Sequence, residues 1–119
     1  MDVLLVDDEE ELVSTLAERL AFRNISADFA TNGKTSLLQI KEKKYDIAVL
    51  DIKMPGISGL DLAKKIKQIQ PDIHIIFCTG HGSVSNFVDG TGQIGKEYYL
   101  PKPVNINDLI SKMNQLMER

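Results

Sequence analysis

The chain has 119 residues, enough for one domain with a single buried core and no need of metal or disulfide staples. Its 43% hydrophobic and 26% charged residues are ordinary for a folded globular protein, which excludes wholesale disorder. A formal charge of -3 and a pI near 5.3 argue against a broad nucleic-acid or anionic-membrane surface, because either needs clustered Lys and Arg to neutralise phosphates.

Val3 to Val6 is a continuous apolar run, as expected of a central parallel strand buried on both faces. Asp7 and Asp8 follow it. Leu12, Leu16 and Leu20, with Val13 and Ala17, mark one face of a first helix. Ser26 to Ala30 reads as a weaker edge strand. Asn32-Gly33 punctuates the connection to a second helix, roughly Lys34 to Lys43, which is less clearly amphipathic. Ile47 to Leu50 is the next buried strand, and Asp51 ends it. Leu62, Ala63, Ile66 and Ile69 define a third helix, closed by Pro71-Asp72. Ile73 to Cys78, interrupted by His74, is a further strand, and the lone Cys78 within it is expected to be a buried, inert thiol. Tyr98 to Leu100 is a short edge strand. Ile106, Leu109, Met113 and Leu116 form the apolar face of the last helix.

Short strands alternating with helices predict an α/β domain with a parallel sheet. The expected architecture is a flavodoxin-like (βα)5 doubly wound sandwich, strand order 2-1-3-4-5, filling residues 1–119 as one domain. The fourth helix is the exception. Ser83 to Val88 supplies barely a turn and a half, and Gly90, Gly92 and Gly95 each cost about 1 kcal/mol relative to Ala in a helix interior. That helix is expected to be short, displaced or partly unwound.

Right-handed crossovers place the first and third strands side by side at the switch point of such a sheet, where the carboxyl ends open into a crevice. Asp7, Asp8 and Asp51 then converge there. Three carboxylates repel one another unless a cation lies among them, and an oxygen-only site suits Mg²⁺ (or Mn²⁺) better than softer metals. A phosphoryl-group site follows, since Mg²⁺ commonly bridges carboxylates to phosphate oxygens. If Asp8 instead only N-caps the first helix, with Glu11 closing a capping box, Asp7 and Asp51 are left unexplained. Pro55-Gly56 suits the centre of a type II turn that folds the backbone over the pocket. Thr79 and Lys102 stand at the ends of the fourth and fifth strands. A hydroxyl there can hydrogen-bond a phosphoryl oxygen, and an ammonium can neutralise its charge.

These pieces, Val6-Asp7-Asp8-Glu9, Asp51 with Met54-Pro55 and Gly59, Thr79-Gly80, and Tyr99-Leu100-Pro101-Lys102-Pro103, resemble the response-regulator receiver family of two-component signalling. The resemblance covers essentially the whole chain. It implies that Asp51 is the phosphoacceptor for a sensor histidine kinase or phosphotransfer protein. It also implies that Asp8, Asp51 and the main-chain carbonyl of Lys53 ligate Mg²⁺, with Asp7 acting through metal-bound water. Thr79 and Lys102 would grip the phosphoryl group, Gly80 would leave its approach open, and Tyr99 would be an aromatic switch. The Lys102–Pro103 peptide is expected to be cis, an isomer that costs an X-Pro bond only about 0.5 to 1 kcal/mol. The segment between Thr79 and Tyr99 departs from the family pattern, with Asp89-Gly90-Thr91-Gly92 where a regular helix is usual.

The resemblance further implies a switch that catalyses its own phosphorylation and slow dephosphorylation. It would signal through the fourth helix, fifth strand and last helix to an output domain or effector, or by homodimerising. Thr79-Gly80-His81-Gly82 is most like receivers attached to ATP-dependent transcriptional activators. Two other functions compete: a haloacid-dehalogenase-type Mg²⁺-dependent phosphatase, and a degenerate receiver that acts as a phosphate-independent interaction module. Lys53 replaces the second Asp that the phosphatase needs, and the complete polar set argues against the degenerate module. Met1-Asp2-Val3 lacks signal-peptide character, and no apolar run approaches the ~20 residues that span a bilayer, so a cytoplasmic protein is expected.

Overall fold

The computed structural model describes residues 1–80 and 99–118. Strands β1 (Asp2–Val6), β2 (Ser26–Ala30), β3 (Ile47–Asp51), β4 (His74–Thr79) and β5 (Tyr99–Pro101) form one parallel sheet in the order β2-β1-β3-β4-β5. Helices α1 (Glu10–Ala21), α2 (Gly33–Glu42), α3 (Gly59–Ile69) and a C-terminal helix (Ile106–Met117) cover it. The expected fold is therefore present. The expected fourth helix, residues 83–96, lies outside the described residues. No helix among those described is long and apolar enough to cross a membrane.

The sheet separates two cores. Val3 and Leu5 of β1 face Val13, Leu16 and Leu20 of α1 and Leu109 and Met113 of the C-terminal helix. Leu4 and Val6 face Ile40 of α2 and Leu62 and Ile66 of α3. This two-sided burial is why the central strands read as unbroken apolar runs rather than alternating ones.

Short polar side chains set the helix starts. Asn32 accepts a hydrogen bond from the Thr35 amide (2.8 Å), Ser58 from the Asp61 amide (3.2 Å), and Asn105 from the amides of Asn107 and Asp108. α1 differs: its N-cap is Glu9, with no side-chain cap bond. Asp8 therefore does not cap it.

Polar contacts also fasten the amino-terminal end of the sheet. The Asp46 amide donates to the Asp2 carbonyl (2.8 Å), and the Asp46 carboxylate accepts from the Asp2 amide (2.7 Å). Gln70 donates to the Ile40 and Lys43 carbonyls, both at 2.7 Å, and accepts from the Tyr45 amide. It thereby ties the end of α2 to the end of α3. The Tyr45 hydroxyl donates to Asp28 (2.7 Å), which also receives Lys43 (3.1 Å).

Gly59 sets how closely α3 abuts the end of β3. Its amide donates to the Ile52 carbonyl (2.9 Å), and a side-chain carbon there would collide with the Asp51 carbonyl oxygen and come within 2.8 Å of the Ile52 Cα. Backbone cannot yield as a flexible side chain would. Gly59→Ala is expected to cost about 3 kcal/mol, read as a lowered urea midpoint.

Candidate functional site

β1 and β3 lie side by side, so the residues at their carboxyl ends meet. Asp7 follows β1 and Asp51 ends β3; both are buried, whereas Asp8 is exposed. One oxygen from each of the three lies within 4.8 Å of the others. Lys102, just past β5, reaches into the cluster. Its ammonium is 2.8 Å from Asp7 Oδ2, 3.3 Å from Asp51 Oδ2 and 3.8 Å from Glu9 Oε1. The remaining oxygens are held by main chain: Asp7 Oδ1 accepts from the Glu9 amide (2.9 Å), and Asp51 Oδ1 from the Lys53 amide (3.3 Å). Each buried carboxylate thus has one oxygen on a backbone N–H and the other on Lys102.

The charges follow this geometry. Burial pushes the Asp51 carboxyl above the usual carboxylate range; Lys102 pulls it back and the Asp7 charge adds to the rise. Burial pulls the Lys102 ammonium down, but its hydrogen bond to Asp7 and the charges of Asp7 and Asp51 outweigh that and hold it above the ordinary lysine value. Asp7 is the tighter partner by distance, so the Lys102 charge is shared unequally and Asp51 is under-neutralised. Glu9, the N-cap residue of α1, contributes a third carboxylate beside the ammonium.

The other expected residues fall around this cluster. The Lys102–Pro103 peptide is cis, as expected. Gly56 has φ +87°, the left-handed conformation that a type II turn after Pro55 requires. Lys53 places its main chain beside Asp51, with its side chain in solvent. Thr79 ends β4 in register with Pro101; its side chain is not among the described atoms. A side-chain carbon on Gly80 would meet none of the described residues within 4 Å. Tyr99 is buried and stacks on Phe77, ring centroids 5.5 Å apart. Its hydroxyl has no hydrogen-bond partner among the described residues.

Cys78 is in register with Asp51 on the neighbouring strand and packs into the core beneath it. The periodicity of β4 carried that signal, but only the pairing register shows it. Burial pushes the thiol up to about 12. Because the thiolate is the reactive form, alkylation of the native protein at neutral pH is expected to be at least about a hundredfold slower than that of the urea-unfolded chain, measured by mass spectrometry.

A groove of about 590 Å³ lies at the opposite end of the sheet, with Tyr45, Asp46, Gln70 and His74 on its walls. Gln70, Tyr45 and Asp46 are already hydrogen-bonded within the protein, so they offer few free groups to a ligand. The acidic cluster differs, because Asp8 is exposed and the Asp7 and Asp51 oxygens keep a lone pair each beside the contacts they already make. Its oxygen-only donors, two buried and one exposed, fit a hard divalent cation that keeps part of its water shell.

The fold and this cluster together define a doubly wound α/β domain with a group of three carboxylates at the carboxyl end of its sheet. Residues 3–114 match the family model of the response regulator receiver domain, and the chain belongs to that family of signalling proteins. It is 33% identical over 119 residues to the response regulator MprA of Mycobacterium avium, covering 100% of this chain and 52% of that protein. With MprA of Mycolicibacterium vanbaalenii the identity is 32% over 117 residues, 98% of this chain and 50% of the relative. The chain thus spans about half the length of these relatives. A receiver domain protein from Clostridium thermocellum superposes with a TM-score of 0.87 at 30% identity, covering 99% of this chain and 94% of the other. A response regulator from Burkholderia pseudomallei, solved with a phosphorylated aspartic acid, calcium ion and citrate, superposes with a TM-score of 0.83 at 28% identity, covering 98% and 69%.

Proposed function

We propose that Asp51 accepts a phosphoryl group from a phosphohistidine of a sensor histidine kinase or phosphotransfer protein, making the chain a cytoplasmic two-component switch. The observation that carries this reading is the convergence of Asp7, Asp8, Asp51 and Lys102 on one crevice. A relative with a phosphorylated aspartic acid and a bound calcium ion supports it.

In the transfer, a carboxylate oxygen of Asp51 forms a bond to phosphorus as the bond to the imidazole nitrogen breaks, and the electron pair leaves with that nitrogen. Asp8, Asp51 and the Lys53 carbonyl would hold Mg²⁺ or Mn²⁺, with Asp7 acting through bound water. When bound, the cation neutralises charge on the transferring phosphoryl oxygens. Lys102 already touches Asp51 Oδ2, so it stands where a second positive charge on the phosphoryl oxygens is needed. The Thr79 hydroxyl would donate a hydrogen bond to the same group, and Gly80, which has no side chain, would leave room for the donor. Tyr99, its hydroxyl without a hydrogen-bond partner among the described residues, would respond to Thr79 and relay the state through β5 and the helices beside it. An output domain, an effector or a second copy of the chain would read that surface. Water slowly hydrolyses the acyl-phosphate.

Incubation with a small phosphodonor and Mg²⁺ tests the proposal. One acyl-phosphate per chain is expected, lost when a chelator is added first. Sustained hydrolysis of phosphomonoesters would point instead to a phosphatase, and an unlabelled chain to a phosphate-independent interaction module.

A further inference from the structure

The net charge of the chain conceals a strong asymmetry. Eight of its eleven lysines fall between Gly33 and Gln70, a segment positive by four, while the rest of the chain is negative by seven. That segment contains α2 and α3, which pack side by side on one face of the sheet. Ile40, Leu62, Ala63 and Ile66 turn inward, leaving Lys34 and Lys41 of α2 and Lys64 and Lys65 of α3 exposed, with Lys44 just beyond α2. None of these five makes an ion pair or hydrogen bond through its side chain among the described residues. Glu42 and Asp61 are the acids of the two helices, and neither pairs with them.

Stability alone would not arrange charge in this way. Lys34 lies in the first turn of α2, where no acidic residue is present and the helix dipole disfavours a cation. Leu38, 53% exposed, stands between Lys34 and Lys41 at spacings of four and three, completing a Lys-Leu-Lys stripe along the outer surface of α2. A phosphate backbone has no use for a half-exposed Leu, and one Leu buries too little apolar area to hold a helix at a lipid interface. A protein surface does.

We infer that the α2–α3 face is a docking surface for an acidic protein segment, one that places carboxylates against Lys34, Lys41, Lys64 and Lys65 and an apolar side chain against Leu38. Charge complementarity steers such a partner and sets its on-rate, and the Leu38 contact fixes register along the helix. The surface is separate from the acidic crevice and works whether or not Asp51 is phosphorylated.

The test uses the ¹⁵N-labelled chain and a synthetic amphipathic helix of Glu with Leu at helical spacing, at physiological salt. Amide shifts are expected to concentrate in α2 and α3. The combined Lys41→Glu, Lys64→Glu and Lys65→Glu variant should bind at least about tenfold more weakly with an unchanged melting curve. Leu38→Ser should weaken binding without altering its salt dependence, and Lys112→Glu, on the C-terminal helix, should leave it intact. Shifts spread over all exposed lysines, an unaffected triple variant, or equally tight binding of duplex DNA or anionic vesicles through this face would each overturn the inference.

Discussion

Lys102→Met is expected to lower stability by about 3 to 5 kcal/mol in the presence of a chelator, a large part of what holds a small domain together. The ammonium is 2.8 Å from Asp7 and 3.3 Å from Asp51, and the carboxylate side chains are only 8% and 5% exposed. Removing it strands two largely buried negative charges that the little water in the crevice solvates poorly. Two further outcomes distinguish this cause from lost packing. Mg²⁺ should restore much of the stability, because a cation among Asp7, Asp8 and Asp51 supplies the missing charge. Acidification should also narrow the gap to the wild type as Asp51, held above the usual carboxylate range, takes up a proton. Urea titrations with and without Mg²⁺ at two pH values measure all of this, and a variant as stable as the parent would remove Lys102 from its place as counter-ion.

Asp51→Asn should abolish labelling by a small phosphodonor completely, and at the same time stabilise the protein by about 1 kcal/mol at neutral pH. The folded-state pKa of this carboxyl is raised, so the folded chain holds the proton more tightly than the unfolded one. Its contribution to stability is present below the unfolded value and is lost as pH rises through the folded value. At neutral pH the ionised group therefore costs stability, and the neutral amide removes that cost. Lys102 keeps Asp7 at 2.8 Å and is not orphaned. The gain should vanish as pH falls below the value of the unfolded carboxyl, about 3.9, because both states are then protonated. Loss of labelling with a fall in stability would mean that the substitution had damaged the fold rather than the acceptor.

Most of this architecture is legible in the residues. β2 runs over Ser26–Ala30 as expected, and the other strands begin and end within one residue of their apolar runs, because burial on both faces leaves little ambiguity. The shift at β4, from Ile73–Cys78 to His74–Thr79, reflects pairing that starts where the Asp46 carbonyl accepts the His74 amide (3.0 Å) rather than where hydrophobicity starts. α2, weakly amphipathic, still begins at Asn32-Gly33 because the cap decides it. The convergence of Asp7, Asp8, Asp51 and Lys102 also follows from strand order alone. The contacts of Gln70, Tyr45 and Asp28 do not, since nothing local distinguishes a Gln that closes two helix ends from one in solvent. The same holds for Glu9 beside Lys102, which depends on the path of the chain after β5.

Asp46 has a bearing on the chemistry at the far end of its strand. Every residue of β3 from Ile47 to Asp51 is buried, and apolar side chains face both cores. Sliding that strand by one residue would exchange Val49 with Leu50 and expose nothing greasy, so hydrophobicity is nearly indifferent to where the strand stops. The paired hydrogen bonds between Asp46 and Asp2 are not indifferent. They act as the zero mark of a ruler whose other end is Asp51. An extra residue inserted within β3 would leave the interior just as oily while carrying the acceptor out of reach of Lys102, a chain that still folds but can no longer be charged.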